Sequence, residues 1–186
     1  MINNLTYNFF NFLEKNDNRE IPFMIKLFNH KMFPNEKWVY NDDLNLKYSN
    51  LSSLPDNFTV NESLYISYSN IKTIPTNLKV ADKLHIKGIE NITFNPGLIV
   101  GGNLSLMNST LDTLPPDIKI GGDLDLFRTK INYLPDNLTV KGSLDLRQCA
   151  LKYLPKKLTV NGNLYLSRSS IITLPKDLIL KGKIIK

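Results

Sequence analysis

The side chains best suited to act as nucleophile or base near neutral pH are His30, His85 and Cys149, and their spacing keeps them apart. A nucleophilic thiol needs a base within hydrogen-bonding reach and a third group to orient that base. Cys149 closes the run Leu144-Asp145-Leu146-Arg147-Gln148-Cys149, whose alternation puts it on a buried ladder with no base nearby. His30 is expected near the end of a helix, and no ligand set surrounds it. Asp123, Asp125 and Asp145 make a small acidic group, but a variable column of a repeat produces such a patch without any metal. Gly101-Gly102 and Gly121-Gly122 recur at a fixed corner and precede no helix, so they do not form a phosphate loop. The expectation is a protein that is not an enzyme, with no catalytic residues, no metal and no cofactor.

Recognition is the chemistry these residue types serve better. One set of positions twenty apart runs Asn45, Tyr65, His85, Ser105, Asp125, Asp145, Tyr165. A second runs Lys47, Ser67, Lys87, Met107, Phe127, Arg147, Ser167, and a third Tyr48, Tyr68, Gly88, Asn108, Arg128, Gln148, Arg168. Aromatic, Met and Arg side chains on an exposed sheet have the composition of protein interfaces, where a few large anchors carry most of the energy. Tyr65, His85, Met107, Phe127, Arg128, Arg147, Tyr165 and Arg168 are the candidate partner-binding residues.

A twenty-residue period positions them. From about Trp38 onward the phrase Leu-Pro, two spacers, Leu-x-Val, a Gly corner, Leu-x-Leu, two spacers, a small residue, one spacer, Leu/Ile recurs. Leu134-Pro135, Leu138, Val140, Gly142, Leu144, Leu146, Cys149 and Leu151 spell it once; Leu154-Pro155 through Ile171 spell it again. A period of this length means stacked coils that bury their apolar faces only against their neighbours. Inward residues alternate every second position, so each coil carries two short parallel strands, Leu-x-Val and Leu-x-Leu. Gly142 marks the bend between them, through positive φ or close approach of a neighbouring backbone. The proline fixes φ ahead of the first strand. The small residue (Ser49, Ser69, Ser109, Thr129, Cys149, Ser169) is placed to hydrogen-bond main chain of its own coil and its neighbour.

The stretch Leu144-Asp145-Leu146-Arg147-Gln148-Cys149-Ala150-Leu151 resembles the hallmark of the leucine-rich repeat family, Leu-x-Leu-x-x-(Asn/Cys)-x-Leu. The Leu-Pro step is similar to that of the Leu-Pro-rich repeats of bacterial effectors, and the short period to the irregular subclass with strands on both sides of the coil. The chain departs from the pattern in using Ser or Thr for Asn in most coils, and Lys141, Gly121 or Asn161 where Leu is expected. The resemblance implies a mainly-β solenoid of 20-residue coils whose Leu-x-Leu face is the ligand surface.

Residues 1–36 are expected to form a helical cap on a solenoid spanning 37–186, one structural unit. Leu5-Phe9-Phe12-Leu13 and Phe23-Ile25-Leu27-Phe28-Met32 have helical spacing over residues 3–33, with Pro22 opening the second helix. Trp38 and Tyr40 then stand where Phe58 and Val60 stand one coil later. One coil is irregular: Ile92 comes one place late and Asn95-Pro96 replaces Leu-Pro. It reads as an eroded repeat or as a bulge that displays His85, Lys87 and Glu90 differently. Tyr133 and Tyr153, one coil apart, are expected to stack. On the other strand Thr59, Lys79, Ile99, Lys119, Thr139, Thr159 and Ile179 face outward, too mixed for a uniform Thr array.

With 186 residues, a net charge of +6 and a pI near 9.3, the chain can bury a large core, and its modest basic excess suits solubility. A single cysteine, no signal peptide and no transmembrane segment imply a cytoplasmic protein. The expected function is a non-enzymatic protein–protein interaction module, suited to a phage, viral or bacterial protein that binds a host factor. Polyanion or nucleic acid binding along Lys47, Lys87, Arg128, Arg147 and Arg168 is one alternative. Self-association through the edge at Lys181 to Lys186 is another, and membrane contact is not expected.

Overall fold

The computed structural model describes residues 38–171 and 173–186, so the cap expected over 1–36 and His30 lie outside the described residues. The described chain winds into a mainly-β solenoid of about seven stacked coils. Two eight-stranded parallel sheets run along the stack, each strand pairing with its equivalent one turn on. Sheet 1 runs from Trp38–Tyr40 through Phe58–Val60 and Lys79–Val80 to Ile179–Leu180. Sheet 2 runs from Leu44–Asn45 through Leu64–Tyr65 and Leu84–His85 to Ile184–Ile185. Register advances by twenty: Leu104 faces Leu124, which faces Leu144, which faces Leu164. Trp38 and Tyr40 pair with Phe58 and Val60, as their places in the repeat require.

The core lies between the two sheets. Leu124, Leu126, Leu144, Leu146, Val140 and Leu158 are fully or almost fully buried, while Asp125, Asp145 and Thr139 between them are not. Burying one such aliphatic side chain stabilises by about 1.5–3 kcal/mol, and every coil repeats the gain. Ser109 and Thr129 donate to the carbonyls of Ile86 and Leu106 in the preceding coil, at 3.0 and 3.1 Å. Ser69 donates to Ile66 in its own coil at 2.7 Å. At Ser69, Ser109 and Thr129 the small residue therefore satisfies main chain inside the stack, whereas the buried Ser49 hydroxyl finds no hydrogen-bond partner among the described residues.

One local expectation is narrowed and one is corrected. The corner glycines do not take positive φ; only Gly88 and Gly97 do. What demands glycine is contact: a Cβ on Gly121 would lie 1.9 Å from the carbonyl oxygen of Gly101 one coil below. Nor do Tyr133 and Tyr153 stack. The Tyr133 hydroxyl donates to Asp112 Oδ2 in the preceding coil at 3.0 Å, and Tyr153 is left largely exposed.

The irregular coil behaves as a substituted repeat. Ile89 occupies the place of the small polar residue and Ile92 that of the following aliphatic, each about 1 % exposed, with Asn91 at φ 54° taking up the extra residue. His85 keeps its register between Tyr65 and Ser105, and Gly88 N–H still reaches the Met107 carbonyl at 3.1 Å. The bulge thus begins after the displayed His85 and Lys87, not at them. It separates two short ladders on the third side of the stack: Thr73–Ile74 with Thr93–Phe94, and Thr110–Leu111 with Lys130–Ile131. Among the described residues no helix is long and apolar enough to cross a membrane.

Candidate binding face

In the regular coils the sheet 2 strand is followed by a tight turn, and that turn decides what the face displays. The outward strand residue caps it: Asn45, Asp125 and Asp145 each accept, on Oδ1, the N–H two residues on, at 3.2, 3.0 and 3.0 Å. Such short-range side-chain acceptors stabilise turns for the same reason they cap helices. Three residues after the strand begins to face outward the backbone enters the left-handed region, with φ 58° at Tyr48, 57° at Tyr68, 55° at Arg128 and 56° at Arg168. The inter-coil ladder nonetheless continues through it: Arg128 N–H reaches the Arg147 carbonyl and Tyr48 N–H that of Ser67, both at 3.1 Å. Arg128 and Arg168 therefore project from a turn at the rim of the sheet, not from the strand.

The rings and cations gather in two groups. Near the first coils, Tyr65 and His85 stack with centroids 5.0 Å apart and planes at 6°, and Lys47 Nζ sits 4.6 Å above the Tyr65 ring. Tyr48 and Tyr68 form a second stack, 5.3 Å apart at 7°. The Tyr68 ring lies over Gly88, where any Cβ would collide with it. Farther along, Arg128 and Arg147 place their guanidinium carbons 4.9 and 5.5 Å from the Phe127 ring, and Arg147 lies 5.4 Å from Tyr165. Arg147 is also locked to Asp145 through Nε and the terminal nitrogen, a bidentate pair that holds its guanidinium charged more firmly than usual. Arg128 Nε donates to Gln148 Oε1 at 2.8 Å.

Between the groups lies an open groove of about 640 Å³. Its floor is low because Ser105, only 6 % exposed, stands where neighbouring coils carry a ring or a carboxylate. Tyr65, Lys83, His85 and Lys87 form one end; Asp123, Asp125, Asp145, Arg147 and Tyr165 the other. Burial, then the charges of Lys87, Lys47 and Lys83, push His85 below the ordinary imidazole value, against a smaller opposing pull from Asp125. It is a neutral ring at neutral pH, able to stack and to accept or donate through its nitrogens.

Of the eight candidate residues, Tyr65, His85, Arg147 and Tyr165 line the groove. Phe127 and Arg128 adjoin it through Arg147, Met107 stands half-exposed between Lys87 and Phe127 in its column, and Arg168 stands exposed on the turn beyond Gln148. Sequence reasoning missed Lys83, Asn103 and Ser143, which sit with Asp123 one residue before Leu-x-Leu and form one wall. Their signal was the same twenty-residue spacing, with a polar residue in every coil. It also missed the depression at Ser105, legible as the smallest side chain of its column. Cys149 is buried, and that burial pushes its thiol up despite backbone N–H groups nearby, which makes it unreactive. Among the described residues no three His, Cys, Asp or Glu side chains converge as metal ligands. Comparison with family models, with curated proteins and with solved structures finds no match to the chain.

Proposed function

We propose that the chain is a non-enzymatic protein-binding module: a leucine-rich-repeat-like solenoid that engages a partner protein across the sheet 2 face in the cytoplasm. The setting that suits it is a phage, virus or bacterium acting on a host factor. The observation that carries this reading is the contiguous cluster Arg128–Phe127–Arg147–Tyr165 beside the groove, with the Tyr65–His85 stack at its far end. Preordered rings and guanidinium groups lose little side-chain entropy on binding, which is what interface anchors require. Affinity capture from the native cell tests it. Phe127→Ala with Arg147→Ala is expected to cut partner recovery at least tenfold, as loss of a central anchor does. Lys119→Ala with Thr139→Ala on sheet 1 is expected to leave recovery unchanged. Equal recovery with both pairs overturns the face.

Polyanion binding is the lesser reading, because Arg147 is already neutralised by Asp145 and the carboxylates of Asp123 and Asp125 interrupt the positive stripe. Affinity for a single-stranded oligonucleotide that falls steeply with salt would restore it. Self-association has one specific support: Leu174, Ile179, Ile184 and Ile185 in the last coil are exposed. A monomer in sedimentation at high concentration would remove that reading.

A further inference from the structure

The groove has opposite charges at its two ends, and that polarity specifies a partner more closely than the aromatic cluster does. Resting on the protein-binding reading, we infer that the groove selects an extended peptide segment carrying an acidic residue and a basic residue about three positions apart. Lys83 and Lys87 supply the positive end. Lys83 has one weak competitor, Asp82 Oδ2 at 3.6 Å, with both side chains nearly half exposed. Asp123 and Asp125 supply the negative end. Asp123 Oδ1 accepts the Ser143 N–H at 2.6 Å, while its Oδ2 takes no hydrogen bond among the described residues. Asp125 accepts from Ser105 Oγ at 3.1 Å and from Phe127 N–H at 3.0 Å, bonds from neutral donors that leave its charge in place. Asp145 is excluded from this role because Arg147 already neutralises it.

The spacing follows from the fold. Lys83 and Asp123 occupy the same column two coils apart, which is roughly 10 Å at about 4.8 Å per coil. An extended chain lying along the stack axis covers that distance in three residues at about 3.3 Å each. From the Tyr65 coil to the Tyr165 coil the groove accommodates about seven extended residues by the same arithmetic. Ser105 leaves room for the backbone of such a segment midway, and the flat Tyr65–His85 stack offers an apolar seat at the positive end. Opposite charges placed at both ends favour one charge order and repel its reverse, so they confer selectivity more than affinity.

The test is selection from a random heptapeptide display library on the full chain at low ionic strength. Enriched peptides are expected to carry an acidic residue three or four positions from a basic one at least threefold above the input frequency. The repeat itself supplies substitutions that the fold tolerates. Asn stands at the Asp123 column in Asn103 and Asn163 and at the Asp125 column in Asn45; Ser stands at the Lys83 column in Ser143 and at the Lys87 column in Ser67. Asp123→Asn with Asp125→Asn should abolish the preference for a basic residue and keep that for an acidic one. Lys83→Ser with Lys87→Ser should do the reverse, with circular dichroism confirming that each variant is folded. Peptides enriched in one sign only, or enrichment unchanged by either pair, would overturn the charge rule while leaving the protein-binding reading to the capture experiment. No enrichment at all would overturn it too.

Discussion

The two sheets of the solenoid share one register, one stacking distance and one core, yet their outer faces differ in kind. Sheet 1 shows solvent one side chain per coil, Thr59, Lys79, Ile99, Lys119, Thr139 or Thr159, held between two buried neighbours. Sheet 2 offers three columns, of which only Ser67 and Ser105 among the described positions are buried, because the strand runs into a turn that keeps the next outward residue and the left-handed residue on the same side. A face with three columns can assemble rings, guanidinium groups and carboxylates into contacts; a face with one column offers only a row. Stacked rings and cation–π pairs accordingly join coils on sheet 2, at Tyr65–His85, Tyr48–Tyr68 and Phe127–Arg147. Contacts among outward side chains in a stack of this kind come from the turn geometry, not from strand content.

The corner between the sheets is where this comparison breaks most readily. Gly121→Ala forces a Cβ against the Gly101 carbonyl, so the coil must move away from its neighbour on both sheets at once. A loss of about 3 kcal/mol or more is expected in denaturant unfolding, the upper range for overpacking against immobile backbone. The turn cap comes next. Asp125→Ala removes the acceptor for the Phe127 N–H and should cost about 1 kcal/mol, whereas Asp125→Asn should restore it, since Asn45 performs the same task. Thr139→Ala, the corresponding outward change on sheet 1, should stay within about 0.5 kcal/mol. If the sheet 1 change proved as costly as the loss of the cap, the distinction between the faces would fail.

The smallest effect is the pH response of His85. Its folded pKa lies below the unfolded value near 6.5, so the unfolded chain binds more protons in that window. Stability contributed by the neutral ring is present above about pH 6.5 and is lost as pH falls through the interval down to the folded value. His85→Asn should flatten that part of the stability–pH curve, measured by thermal unfolding between pH 5 and 7.5. A variant that kept the full slope would assign it to another group.

Much of this was legible in the residues because a repeat states its geometry several times. Leu124, Leu144 and Leu164 at intervals of twenty can share an interior only if coils stack in register, and they do. The hydroxyl at Ser109 and Thr129 was readable as a main-chain partner for the same reason. Individual side-chain directions were not. Tyr133 reaches back to Asp112 because a carboxylate with a nearby amide donor outcompetes a ring stack at an exposed position; the Asn132 amide and then the Tyr133 hydroxyl hold Asp112 below the usual carboxylate range. The glycine corner was rightly located, and of the two causes open in the sequence, positive φ and close approach of a neighbouring backbone, the structure selects the second.

Period and alternation by themselves determined the stacked coils, the two parallel strands per coil and which side chains face outward, because burial against identical neighbours permits one register only. Only the tertiary structure decided which outward residues meet. The stack of Tyr65 on His85, the approach of Arg147 to Phe127 and Tyr165 and the reach of Tyr133 back to Asp112 depend on how adjacent coils sit against one another, and no single coil contains that information.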